Sequence, residues 1–131
     1  MSRVLVTGAA GFIGSHMVDL LMEHGFQVRG LDNLASGRWA NLDRWKNDLN
    51  LTTDSIDVRS LDSDHSAFKE ADYVFHFAGM GDIVPSIERP VDYLSTNVMG
   101  TVNVLEAARH AGTKKFVYAA SSSCYGLATE L

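Results

Sequence analysis

Between a short β-branched run, Arg3 to Thr7, and a helix-period segment starting at Phe12 lies a loop with glycines at its first, fourth and seventh positions: Gly8-Ala9-Ala10-Gly11-Phe12-Ile13-Gly14. Few folds accommodate a strand that stops at glycine and turns at once into a helix. One glycine permits the sharp turn, another lets a diphosphate approach the backbone with no Cβ in the way, and the last allows close helix–sheet packing. The helix start then directs unpaired N–H groups and its positive end toward such an anion. Three glycines alone would suit an ordinary tight turn. The discriminating feature is a carboxylate, Asp32, which follows Gly14 by eighteen residues and closes the next apolar run, Gln27 to Leu31. At that strand tip it can accept both hydroxyls of an adenosine ribose, so the pattern predicts a dinucleotide site.

The rest of the chain repeats the alternation of strand and helix. Apolar Ile13, Met17, Leu20 and Leu21 give Phe12–Glu23 one broad helix face, stopped by Gly25. Further strands are expected at Leu51–Ile56, Tyr73–Phe77 and Lys115–Ala119, and helices at Leu61–Lys69 and Val91–His110, the latter closed by Gly112. Residues 33–50 are polar, with Leu42 and Trp45 hinting at a short helix. This order predicts an α/β fold, a Rossmann-like doubly wound parallel sheet with helices on both faces, truncated after about the fifth strand. Residues 1–131 suffice for one domain, an incomplete dinucleotide-binding one. The chain ends twelve residues past the fifth strand, where such folds have a sixth, so it is expected to be the front part of a longer polypeptide lacking its substrate-binding region.

Composition bears on partners and compartment. A formal net charge of −5 argues against a nucleic-acid binder acting through bulk positive charge. The apolar start Val4-Leu5-Val6 ends at Thr7-Gly8, too soon for a signal peptide, and no run approaches the ~20 apolar residues of a membrane span. The single cysteine, Cys124, has no internal disulfide partner, and a cytoplasmic protein without membrane contact is expected. The five histidines lack metal-ligand spacing and read as packed or solvated side chains, so no metal site is expected.

Asp32 would face a 2′-phosphate with a negative charge, which favours NAD over NADP, although Arg38 lies near enough in sequence to weaken that preference. Asp57-Val58, just after the third strand, is a candidate clamp on the adenine.

Taken together, Thr7 to Gly14, Asp32-Asn33-Leu34, Asp57-Val58-Arg59, His76-Phe77-Ala78-Gly79, Asn97-Val98-Met99-Gly100-Thr101 and Ser121-Ser122-Ser123-Cys124-Tyr125-Gly126 resemble the extended short-chain dehydrogenase/reductases, within them the NAD-dependent nucleotide-sugar epimerase/dehydratase group. The resemblance implies that Phe12 and Ile13 offer N–H groups to the pyrophosphate, alongside Gly8, Gly11 and Gly14. It implies that Asp32, Asn33, Leu34, Ser36 and Gly37 surround the ribose, with Asp57 and Val58 at the adenine. Phe77, Ala78 and Gly79 would line the middle of the coenzyme, and Asn97 would steady the loop beside its nicotinamide half. Ser121 matches the catalytic hydroxyl that hydrogen-bonds the reacting sugar oxygen.

In that family NAD removes a hydride while a tyrosine phenolate takes the hydroxyl proton, its pKa of ~10 lowered by a lysine four residues on. Here Tyr73, Tyr93, Tyr118 and Tyr125 are followed at that spacing by Phe77, Asn97, Ser122 and Thr129. The fragment alone is therefore expected to be inactive. Where the dehydratases carry acids, this chain has Ser122 and Ser123, which favours an epimerase, 4-epimerisation of a UDP-sugar above other nucleotide sugars. Gly81 to Ser86 departs from the best-known epimerases, leaving a decarboxylase, a reductase, a dehydratase or another sugar-modifying relative as alternatives, and a non-catalytic dinucleotide-binding module as a further one. The resemblance also implies a homodimer for the full-length protein, formed partly through the helix at about 91–110.

Overall fold

The computed structural model describes residues 2–126, apart from the side chains of Ser122 and Ser123. Five strands, β1 (Arg3–Thr7), β2 (Gln27–Asp32), β3 (Leu51–Ser55), β4 (Tyr73–His76) and β5 (Lys115–Tyr118), form one parallel sheet in the order β3-β2-β1-β4-β5. The register pairs Val4 with Val28 on one side and with Tyr73 on the other, so β1 is central and lies between its two crossovers. This is the doubly wound arrangement that the alternation predicts, with each strand within a residue or so of its expected bounds.

Alternation along the strands divides the core in two. Val4, Val6 and Val28 pack with Val18, Leu21 and Met22 of α1 (Phe12–Glu23) and with Leu42 of a 3₁₀ turn, Trp39–Trp45. Leu5, Leu31 and Val74 face the other way, onto Val104 and Ala107 of α4 (Thr101–His110) and onto Val58, Leu61 and Phe68. Apolar runs buried on both faces are what a parallel sheet requires. Strand β5 is an outer strand, with Val117 and Tyr118 exposed.

Three segments depart from expectation. Leu61–Lys69 is not a helix: it contributes only a 3₁₀ turn at Ser66–Phe68, preceded by another at Val58–Ser60. Asp62, Ser63 and Asp64 interrupt it, the Asp62 carbonyl accepts from His65 N–H, and the His65 ring accepts from Ala67 N–H, local bonds that replace a helical ladder. Leu61 and Phe68 are nonetheless buried, as anchors of an irregular crossover. Second, a helix not foreseen in the sequence, α2 (Ile83–Glu88), contains Pro85 in its first turn, where a missing N–H costs nothing. Third, the long helix starts with α3 (Pro90–Leu94) and reaches α4 through a π-helical stretch, Ser95–Gly100.

Candidate functional site

Above the C-terminal ends of β1, β2 and β4 a cleft of about 730 Å³ opens, lined by the glycine loop, the tip of β2, the start of the Val58–Ser60 turn, the Phe77–Asp82 segment and residues of α2 and α3. It sits where the strand order reverses, the usual ligand crevice of an open α/β sheet.

The floor is made by close backbone approach. Gly8 has φ +67°, and a Cβ there would lie 2.8 Å from Ala78 N and from the Phe77 carbonyl carbon. At Gly14 a Cβ would stand 2.0 Å from the Gly8 carbonyl oxygen, so α1 can seat against the loop only with glycine at that position. Gly11 caps α1 with no side-chain hydrogen bond to the helix start, and Gly11, Phe12, Ile13 and Gly14 all line the cleft, so the helix's N-terminus borders it. Phe12 and Ile13, both exposed, stand at that helix start in the cleft wall.

The Asp32 carboxylate is buried at the tip of β2. One oxygen accepts Ala10 N–H at 3.0 Å and the other Leu34 N–H at 2.8 Å, leaving a further lone pair on each. Ala10 is fixed from its other side as well, since its carbonyl accepts Arg38 N–H at 3.0 Å and the Asn41 side-chain amide at 2.7 Å. Asn41 has no motif to advertise it, and its role emerges only from this contact. Leu34 adopts a left-handed conformation, φ +60°, that turns its N–H back onto Asp32. A Cβ at Gly37 would lie 2.8 Å from the Ala10 carbonyl carbon, so the chain passes against the loop there.

Among the residues singled out in the sequence, Gly8, Gly11, Phe12, Ile13, Gly14, Asp32, Asn33, Ser36, Val58, Phe77, Ala78 and Gly79 line the cleft. Leu34, Gly37, Asp57 and Asn97 are not part of that lining. Asp57 caps the Val58–Ser60 turn by accepting Arg59 N–H at 2.9 Å; its carboxylate also takes the Arg59 guanidinium at 2.7 Å and the Asn33 amide at 3.2 Å. These bonds, the guanidinium first, hold the carboxyl well below the usual carboxylate range. What faces the cleft from this turn is Val58 and Arg59, with Arg89 and Asp92 across from them. Arg59 and Arg89 both approach Asp92, at 3.9 and 4.0 Å. Asn97 spans the Met80 peptide, its amide donating to the Met80 carbonyl at 2.9 Å while its oxygen accepts Met80 N–H at 2.7 Å. Ser121 lies two residues beyond Ala119, which lines the cleft, and its carbonyl accepts Cys124 N–H at 3.3 Å and the Cys124 thiol. Ser122 and Ser123, which stand where the dehydratases carry acids, have side chains outside the described residues.

Residues 4–131 match the sequence profile of the NAD dependent epimerase/dehydratase family. The chain belongs to this family. A UDP-glucose 4-epimerase of Mycolicibacterium smegmatis is 41% identical over 128 residues, which cover 95% of this chain and 40% of that protein. A putative UDP-glucose 4-epimerase of Methanocaldococcus jannaschii is 40% identical over 127 residues, 94% of this chain and 39% of the relative. The solved UDP-N-acetylglucosamine 4-epimerase of Methanobrevibacter ruminantium, in complex with UDP-N-acetylmuramic acid, superposes with TM-score 0.90 at 35% identity, over 99% of this chain and 41% of its own. A UDP-glucose-4-epimerase of Stenotrophomonas maltophila, solved with bound NAD and formylated UDP-arabinopyranose, superposes with TM-score 0.89 at 28% identity, over 99% of this chain and 40% of that one. The chain thus spans about two-fifths of the length of these family members. Their shared fold accounts for the strand order found here. Among the described residues, no helix is long and apolar enough to cross a membrane.

Proposed function

We propose that this chain is the NAD-binding part of a nucleotide-sugar epimerase, acting on a UDP-sugar and most simply at its C4 position. The observation that carries the reading is the juxtaposition of a buried Asp32 carboxylate, with acceptor capacity to spare, and the uncapped N-terminus of α1 across a glycine floor. A dinucleotide fits this cradle. The diphosphate would lie on the first-turn N–H groups of α1, where Gly11, Phe12 and Ile13 leave the backbone accessible. Asp32 would accept the adenosine ribose hydroxyls, and Asn33 and Ser36 would flank that sugar. Val58 would pack against the adenine, with Asp57 fixing the turn that presents it. Phe77, Ala78 and Gly79 would support the middle of the coenzyme, and Asn97 would hold the following peptide.

When bound, NAD supplies a hydride acceptor, which allows a sugar carbinol to be oxidised and re-reduced on its other face. In this reading Ser121 offers a hydroxyl to the reacting sugar oxygen from beyond β5. None of the four tyrosines is followed four residues later by lysine, so the fragment is proposed not to turn over alone. That observation also favours a second reading, a dinucleotide-binding module without chemistry. The UDP-sugar epimerases among the relatives support the first.

We extend the reading to a homodimer of the full-length protein, supported by an exposed stripe of Val91, Leu94, Val98, Val102 and Leu105 along one side of the α3–α4 rod. Calorimetric titration of the chain with NAD and with NADP tests the cofactor assignment. Saturable NAD binding, weakened at least tenfold in Asp32→Ala and stronger than NADP binding, is expected. No binding, or equal affinity in the variant, overturns it. A gene extended beyond Leu131 that encodes no Tyr-x-x-x-Lys would favour the module.

A further inference from the structure

His76 ends β4 on the face that receives α4, almost fully buried between the rings of Phe116 and Tyr118, each 5.9 Å away by centroid. Both of its ring nitrogens are engaged. Nδ1 lies 2.6 Å from the Thr7 hydroxyl and Nε2 lies 2.9 Å from the Thr101 hydroxyl. The neighbours determine where the protons are. Thr101 donates its one hydroxyl proton to the Asn97 carbonyl at 2.7 Å, so toward His76 it can only accept. Nε2 therefore carries the hydrogen. Nδ1 is then a bare lone pair, and the Thr7 hydroxyl donates to it while accepting Ala78 N–H at 3.2 Å. In the opposite tautomer the Thr101 hydroxyl would have to turn away from the Asn97 carbonyl to donate to Nε2, while the Thr7 oxygen accepted from both Nδ1–H and Ala78 N–H. Burial also opposes the charged ring, pushing its pKa down to about 4.

This chain of donors has a direction and two ends at the cleft. One end is Thr7, adjacent to Gly8 and bonded to the backbone of Ala78. The other is Asn97, whose carbonyl receives the Thr101 proton and whose side chain clamps the Met80 peptide. Asn97 lies within the π-helical stretch, a geometry frequent at functional sites. A Cβ at Gly79 would lie 3.1 Å from the Asn97 side-chain oxygen, so the Phe77–Met80 segment has little room to shift against it.

We infer that His76, as its Nε2–H tautomer, is a positioning residue that orders Thr101 and Asn97 and thereby fixes the Phe77–Met80 wall of the cleft. It touches no ligand itself. The inference rests on the NAD-binding reading above only for its consequence in affinity; the proton order stands on the hydrogen bonds alone.

The test combines spectroscopy with titration of the same chain. Long-range ¹H–¹⁵N correlation of the imidazole is expected to give the Nε2–H tautomer, neutral at pH 6. Thr101→Val removes the relay hydroxyl with little change of shape; it is expected to shift the Asn97 side-chain amide resonances and to weaken NAD binding about tenfold, the effect of one lost hydrogen bond. Thr101→Ser, which keeps the hydroxyl, is expected to restore both. An Nδ1–H tautomer in the unmodified chain overturns the inference whether or not the variants fold. So does a folded Thr101→Val chain with unmoved Asn97 resonances. If the unmodified chain binds no NAD, the proposed function fails, while the tautomer and the Asn97 resonances still decide the role of His76.

Discussion

The Asp32 carboxylate and the Ala10 amide, twenty-two residues apart in sequence, meet at 3.0 Å and join the tip of β2 to the middle of the glycine loop. The same carboxylate takes Leu34 N–H through its other oxygen. Both oxygens thus face a backbone donor. In Asp32→Asn one of them becomes an NH₂ group opposed to an N–H, so the substitution is expected to cost about 1–3 kcal/mol of stability as well as NAD affinity. Urea unfolding of the ligand-free chain checks this, because a carboxylate serving only the ribose would leave the midpoint unchanged.

The glycines of the loop are not equivalent. A methyl group at Gly14 would meet the Gly8 carbonyl oxygen at 2.0 Å, whereas at Gly11 the same oxygen is 3.3 Å away. Gly14→Ala is expected to destabilise the chain by about 3 kcal/mol or more, since only backbone can move. Gly11→Ala should cost about 1 kcal/mol and show its larger effect on diphosphate binding. Equal unfolding midpoints for the two variants would contradict this ranking.

Acidification should act through His76. Its folded-state pKa lies near 4 against an ordinary value of 6.5, so below pH 6.5 the unfolded chain binds a proton that the folded chain refuses. Stability then falls as pH drops from about 6.5 to 4, by about 3 kcal/mol for this group. Asp57, whose carboxyl is depressed, adds a loss in the same direction at lower pH. Denaturant melts between pH 7 and 4 would show the slope, and His76→Phe should remove most of its upper part. An unchanged slope in a folded His76→Phe chain would exclude this origin.

Core and surface apolar residues on the α4 side should separate cleanly. Leu5 is fully buried in β1, and Leu5→Ala is expected to cost about 3 kcal/mol through lost burial and a residual cavity. Val102, on the outer side of α4, is 44% exposed, and Val102→Ala should change the stability of the isolated chain by no more than about 0.5 kcal/mol. Thermal or urea unfolding of the two variants measures the difference.

The amino-acid order alone determined the parallel sheet, its helix-covered faces, the glycine loop and the acid at the end of β2. These are written in short-range signals: runs of apolar residues buried on both faces, the 3.6-residue period of α1 and turn residues at fixed offsets. The tertiary structure decided what contacts between distant segments decide. Leu61–Lys69 has apolar residues but spends them as anchors of an irregular crossover, because the Asp62 carbonyl and the His65 ring make local bonds that compete with a helix. Asp57 and Asn97 were legible as important positions, yet their actual work, capping the turn that bears Val58 and clamping the Met80 peptide, depends on partners brought near only by folding. Asn41 carried no local mark at all, and His76 was legible only as the first residue of the His76–Gly79 segment, not through its two hydroxyl partners. A hydrogen bond between residues tens of positions apart leaves no periodicity in the chain, and only the packed sheet brings its donor and acceptor into range.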